Sequence, residues 1–238
     1  MGLLIQSNFD PKEQQINISI TGNKRQRLKQ QNQLTLIKAA LDCIAELGVR
    51  QTSVSEIIQR AGLSRGMIHL HFGGKDQLLI AAGHYASKLY YDHLETQLLG
   101  VNDCPQKIIE AVVRSDLSPA VLNQHNVNIW YAFRGEARHF KDIVSFSDTR
   151  DPRLRKLVSN AYQRLAIQNE ALQPEQARAL AKEATYGTLC LMEGMWTDYL
   201  LHTDSFDRHK ALRIIMRFQA ALFPAYFNLD GAIPTKDE

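Results

Sequence analysis

SVSEIIQRAGLSRGMIHLHFGGK, residues Ser53 to Lys75, divides at Gly62 into two short helical patterns. Ser53 followed by Glu56 has the spacing of a capping box. Ser53 accepts from an amide of the first turn and Glu56 reaches back, which fixes the start of the first helix. Val54, Ile57, Ile58 and Ala61 give that helix an apolar face. Gly62 then tolerates the left-handed conformation of a helix end. Leu63 packs under the turn, Ser64 is a natural N-cap, and Ile68 and Phe72 sit four apart on the inner face of the second helix. Arg65, Gly66, Met67, His69 and His71 remain outward, and Lys75 opens a third helix. Two helices joined by a turn of about 3–4 residues, the second with a donor-rich first turn, form a helix-turn-helix that places the second helix in a major groove.

The stretch from about Gln26 to Leu79 resembles the DNA-binding signature of TetR-type repressors. It has the same order of cap, A-G turn, S-R-G, H-F and lysine, and the same preceding helix LTLIKAALDCIAELGVRQ. The resemblance implies an all-α, TetR-like fold: a three-helix DNA-binding domain followed by a helical bundle. It also implies DNA-contact residues. Arg65 reads guanine bidentately, Gly66 lets the backbone approach closely, and Met67 offers apolar contact to a thymine methyl. His69 stands where relatives often carry an aromatic. Ser53, Ser64, His71 and Lys75 read as phosphate contacts, with Ser53 and Lys75 helped by positive helix ends. A structural histidine packed on the fourth helix is the other reading of His71.

Charge is distributed as a DNA binder requires. Between Lys24 and Lys75 nine Lys/Arg face three Asp/Glu, an excess of +6 in a chain of net charge +3, which leaves −3 on the remainder. A basic end on a faintly acidic body fits a nucleic-acid reader with a second, non-binding part. The group Lys24, Arg25, Arg27 and Lys29 just before the first helix reads as a minor-groove arm or phosphate contact, or as a solvated helix start.

At 238 residues the chain has room for a real core, and 45% hydrophobic residues with 22% charged suit a soluble globular protein. Cys43, Cys104 and Cys190 are odd in number and far apart, which argues against a disulfide framework or a zinc site and for a reduced, cytoplasmic setting. No run of about 18 apolar residues occurs, so neither export nor a membrane span is expected. Enzyme motifs fail. The loop before Lys75 lacks the phosphate-loop pattern, having His69 at the first glycine and Asp76 after the lysine. His69 and His71 are two apart on a helix and make a poor metal pair. No catalysis and no cofactor are expected.

Residues 1–23 lack helical period and read as a loosely ordered extension. Residues 24–75 read as the DNA-binding domain and 76–230 as a helical ligand-binding and dimerisation domain, with a break in pattern near Gly100 to Pro105. Expected helices run from Leu34 to Gly48, from Lys75, over Pro105 to Arg114, Asn123 to Val144, Pro152 to Leu172, Pro174 to Leu201 and Ser205 to Phe223. Apolar stripes are Ile37, Leu41, Ile44 and Leu47 on the first, and Leu78, Leu79, Ala82, Tyr85, Ala86 and Leu89 on the fourth. In the family resembled, the last two helices form a four-helix interface in a homodimer. Leu189, Met192, Met195 and Trp196, with Leu212, Ile215, Met216, Phe218 and Leu222, are candidates for it or for the core.

WYAFRGEARHFKDI, DPRLRKLVSNAYQRL and LCLMEGMWTDYLLHTDSFDRHKALRII resemble the ligand-binding half of BetI-type regulators, the choline-responsive repressors of glycine betaine synthesis. The resemblance implies a small-molecule effector that releases the repressor from double-stranded operator DNA. Trp130, Phe133, Trp196 and Tyr199 would cage a quaternary ammonium with Glu193 as counter-charge; they are otherwise core aromatics beside a solvated carboxylate. The rival reading is a ligand-independent architectural or adaptor protein whose body contacts another protein.

Overall fold

The computed structural model describes residues 24–101, 103–136, 138, 151–168 and 172–227. The expected extension 1–23 lies outside the described residues. Nine α-helices and no strand occur among those described, as the all-α reading requires.

Helix α1, Lys24–Gln51, begins ten residues before the expected start at Leu34. Its first turn holds cations and no acid, an unfavourable arrangement at the positive end of a helix. Lys24, Arg25, Arg27 and Lys29 are all exposed, so stabilising the helix is not their purpose. Leu36, Ile37, Ala40, Leu41 and Ile44 are buried as the period predicts, whereas Leu47 is exposed. The stripe has rotated by then, and the helix breaks one residue later at Gly48, whose φ of 76° lies in the left-handed region. Thr52 closes this break with its amide and its hydroxyl, both donating to the Gly48 carbonyl at 3.2 and 2.8 Å.

Helix α2 is Val54–Ala61 and α3 is Arg65–Phe72. The Glu56 amide donates to Ser53 Oγ at 3.1 Å, so that half of the expected cap forms. Ser64 has capping backbone geometry but makes no side-chain cap bond. Gly62, at φ 63°, ends α2 and turns the chain.

Helix α4, Lys75–Leu98, leads from this unit into the body. The body consists of α5 (Pro105–Asp116), α6 (Gln124–Gly135), α7 (Pro152–Ile167), α8 (Pro174–Leu201) and α9 (Arg208–Leu222), with a 3₁₀ turn at Thr203–Ser205 before α9. Helix α6 stops at Gly135 rather than at Val144, and of residues 136–144 only Glu136 and Arg138 are among those described. Helix α7 ends at Ile167, short of Leu172. Helix α9 starts at Arg208 because Asp207 caps it by accepting from the Lys210 amide at 3.0 Å.

Helices α4 and α6 pack on α1, α5 and α8 flank α7, and α9 closes over α8 and α5. One apolar core runs through all of them, from Leu36 to Phe227. Asp151 caps α7 through the amides of Arg153 and Leu154 and also accepts the Tyr91 hydroxyl at 2.5 Å, pinning α7 to α4. The stripe offered for a dimer interface is largely consumed inside the subunit: Leu189, Met192, Trp196, Ile215 and Met216 are buried. The uncovered face of α8 carries Tyr186, Cys190 and Leu201 instead, and α9 exposes Ile214.

Candidate nucleic-acid interface and effector-binding residues

Helix α3 is fixed by one inward residue per turn. Ile68 is 2% exposed and Phe72 packs against the same core. The opposite face presents Arg65, Gly66, His69 and Leu70, all exposed. These lie at i, i+1, i+4 and i+5 and so form one strip along the helix. Met67, expected outward, is half-buried and packs on the core. Leu70, absent from the expected outward set, is 72% exposed, which leaves an apolar side chain on the same exposed face. Arranging the eight residues around Ile68 and Phe72 gives the signal that would have found it.

The four expected phosphate contacts divide. Ser53 and Ser64 are exposed at the mouths of α2 and α3. Lys75 is half-buried, and its Nζ donates to the Thr52 carbonyl at 2.8 Å, tying the start of α4 to the entry of α2. His71 is the clear correction: both ring nitrogens are buried and without a hydrogen-bond partner, so no phosphate reaches them in this conformation. Burial, and then the positive charge of Lys29, hold its pKa below the usual histidine value. The side chain is therefore a neutral packing element, the other reading given above.

Two members of the expected aromatic cage, Glu193 and Tyr199, have partners of their own. Glu193 is held by Arg134 from α6 in a bidentate pair, one arm at 3.0 Å, and Tyr131 adds its hydroxyl at 3.1 Å. Its charge is already compensated. Tyr199 turns toward α9, with the Arg208 guanidinium 5.2 Å from its ring centroid and the Phe206 ring edge-on at 5.3 Å. Trp130 and Phe133 lie in the core. Spacing of three per step turns a helix by about 300°, so Glu193 and Tyr199 end about 120° apart. The shared face inferred from that spacing is lost over two steps.

Trp196 alone reaches a carboxylate, and that carboxylate is Asp116. Indole Nε1 donates to Asp116 Oδ2 at 2.9 Å, and the Tyr90 hydroxyl donates to Oδ1 at 3.2 Å. Asp116 is 4% exposed, Trp196 7%. Burial pushes the Asp116 carboxyl up to about 6, against the two donors that lower it. Three helices, α4, α5 and α8, meet at this point. The Tyr90–Asp116 bond joins it to α4, whose first residue holds Thr52.

A second tie runs through α6. Asn128 Nδ2 donates to the Ala45 carbonyl at 3.0 Å, His125 Nε2 meets Asp42 Oδ1 at 2.9 Å, and Arg50 pairs with Glu136. The helix that holds Glu193 therefore also grips α1. Among the described residues no group of His, Cys, Asp and Glu is arranged to hold a metal ion, and no helix is long and apolar enough to cross a membrane.

A family model described as bacterial regulatory proteins of the tetR family matches residues 36–82. A second, described as the C-terminal part of BetI-type transcriptional repressors, matches residues 105–224. The HTH-type transcriptional regulator BetI of Yersinia pestis (strain Pestoides F) is 28% identical over 185 residues, 77% of this chain and 88% of that protein. BetI of Pectobacterium carotovorum subsp. carotovorum (strain PC1) is 29% identical over 181 residues, 75% and 87% of the two chains. Among solved structures, a transcriptional regulator from Pseudomonas aeruginosa PAO1 superposes with a TM-score of 0.63 at 22% identity, over 86% of this chain and 95% of its own. A regulator from Saccharomonospora viridis in complex with choline gives 0.63 at 18% identity, over 79% and 95%. At these identities the structural likenesses establish the fold.

Proposed function

The chain belongs to the TetR family of bacterial regulatory proteins, in the branch with a BetI-type C-terminal half, and from that premise we propose an operator-bound homodimer released by a small cationic effector. It is a DNA-binding transcriptional regulator and not an enzyme. The finer reading assigns residues 24–75 to DNA, the helices from α4 onward to effector and partner subunit, and the reading of bases to Arg65, Gly66, His69 and Leu70. Ser53 and Ser64 take phosphates.

The observation that carries this reading is the exposed strip on α3, built on a helix whose other side is locked by Ile68. A guanidinium at Arg65 matches guanine O6 and N7, and the Leu70 methyls match a thymine methyl. One helix reads only a few base pairs, so two copies on successive major grooves are needed. The uncovered face around Tyr186 and Ile214 is the surface for the second copy.

Choline or a related quaternary ammonium is the effector class. The choline held by the Saccharomonospora regulator supports it, as does a buried anion among aromatic rings in this chain. Release follows if effector binding shifts α4 and α6, which hold the DNA-reading unit at Thr52 and along α1. A coupling of about 1–3 kcal/mol changes operator affinity 5–150-fold.

Selection of bound sequences from random duplex DNA tests the reading. The expected result is an enriched site with two-fold symmetry, released when choline is added, and a dimer mass by light scattering. An enriched site without symmetry, or a monomer at micromolar concentration, contradicts the dimeric reader; an operator complex indifferent to quaternary ammonium ions contradicts the effector.

A further inference from the structure

Asp116 is at odds with its surroundings. It is the last residue of α5, where the negative end of the helix dipole already disfavours an anion. Its two hydrogen bonds come from neutral donors, Trp196 and Tyr90, and among the described residues no Lys, Arg or His forms an ion pair with it. The nearby charges oppose one another, the Arg134 guanidinium favouring the anion and Glu193 disfavouring it. Glu193 is of like sign, and the Arg134 guanidinium is spent on Glu193. Arg208, just beyond the helix end, bonds the carbonyls of Leu117 and Leu122 at 2.7 and 2.6 Å. Burying an uncompensated carboxylate costs several kcal/mol, a cost that a cation brought from outside removes.

We propose that Asp116 is the counter-charge for a monocationic ammonium effector, which enters between α4, α5 and α8 and takes Asp116 Oδ1 from the Tyr90 hydroxyl. The inference rests on the effector-released repressor reading and names its site. A quaternary ammonium has no N–H to donate, so it is recognised by aromatic faces and a carboxylate at contact distance. Trp196 and Tyr90 supply the rings, already held against the carboxylate. A zwitterion brings its own carboxylate against Asp116 and Glu193 and is rejected, so the site discriminates an ammonium alcohol from its fully oxidised acid.

The same bond carries the signal. Tyr90 and Lys75 lie on one continuous helix, about 22 Å apart at 1.5 Å per residue. When Tyr90 loses its acceptor, α4 loses its polar tie to Asp116 and keeps only its apolar packing on α5 and the His93–Ser118 contact. Its other end, bonded from Lys75 to the Thr52 carbonyl, moves the entry of α2 with it.

The test uses the full-length protein on its operator, with the variants Asp116→Asn and Tyr90→Phe. The probes are choline, glycine betaine and 3,3-dimethylbutan-1-ol, the neutral isostere of choline. Binding is read by calorimetry and release by fluorescence anisotropy of labelled operator. Wild type is expected to bind choline at least about tenfold more tightly than either other probe, since each factor of ten is about 1.4 kcal/mol. Asp116→Asn loses that preference while keeping the weak affinity for the isostere. Tyr90→Phe binds choline but releases less operator at equal occupancy.

A wild-type titration at pH 7 and pH 5 stands independently of how well the variants fold. The ionisable groups facing Asp116 are Tyr90 from α4, Glu193 from α8 and Arg134 from α6. Protonation of a carboxyl near 6 is expected to weaken choline about tenfold and to leave the isostere unchanged. Choline affinity that is flat over this range, or an Asp116→Asn protein that keeps the choline preference, overturns Asp116 as the counter-charge and leaves the repressor reading standing. Wild-type operator complex that answers none of the probes overturns both.

Discussion

The DNA-reading unit and the helical body use charge in opposite ways. At the start of α1 and on α3 the cations Lys24, Arg25, Arg27, Lys29 and Arg65 are exposed. An exposed charge costs little to keep and is attracted to any polyanion, so binding there is broad and governed by salt. In the body, the Asp116 carboxyl is buried between Trp196 and Tyr90. A buried charge is costly to keep and is relieved only by a cation that fits, so binding there is narrow and governed by shape and protonation. Specificity at the first end must come from hydrogen-bond geometry, and at the second it comes from desolvation.

The largest effect expected from this contrast is on stability. With a folded-state pKa of about 6 against 3.8 unfolded, Asp116 binds a proton in the native state between those values that the unfolded chain does not bind. Its contribution therefore favours folding below about pH 4 and is lost as pH rises through 6. Asp116→Asn is expected to be the more stable protein at pH 7, by up to about 3 kcal/mol. The difference should shrink on going to pH 5. Urea denaturation of both proteins at the two values checks it, and a difference independent of pH breaks the contrast.

Arg65→Ala is expected to lower operator affinity by about 1–3 kcal/mol and to leave affinity for random DNA nearly unchanged. Equal losses on both would place Arg65 with the salt-governed cations. Leu70→Ala should cost about 1 kcal/mol on the operator, the scale of a few buried methyl contacts. Replacing the facing thymine by uracil should cost the wild type the same and the variant nothing. The smallest effect is expected for Arg25→Gln, a few-fold weakening on all DNA alike with the salt slope reduced by about 1. A sequence-dependent loss in that variant would show that the start of α1 reads bases.

Pro105, Pro152 and Pro174 open their helices where the sequence places them, and Gly62 turns the chain between α2 and α3. Such breakers act through the local backbone and are legible one residue at a time. Partners were less legible. Glu193, Trp196 and Tyr199 share one helix, yet one faces α6, one faces α4 and α5, and one faces the 3₁₀ turn and α9. Asp116 drew no notice in the sequence, because a lone Asp near a helix end is ordinarily solvated. Burial of the His71 ring is equally invisible in the sequence, because residue type alone does not separate a phosphate contact from a packing ring.

The sequence by itself determined the all-α class, the start and stop of α2 and α3, the inward pair Ile68 and Phe72 on α3 and the basic end. Capping, breakers and a 3.6-residue period depend on neighbours within a turn or two. Tertiary structure alone decided that Leu70 lies exposed beside Arg65, Gly66 and His69, that Lys75 holds Thr52, and that the buried carboxyl without an ion pair is Asp116 rather than Glu193. Those outcomes depend on which helices are brought alongside, and a charge has no fixed role until its surroundings set whether water, an opposite charge or nothing stands beside it.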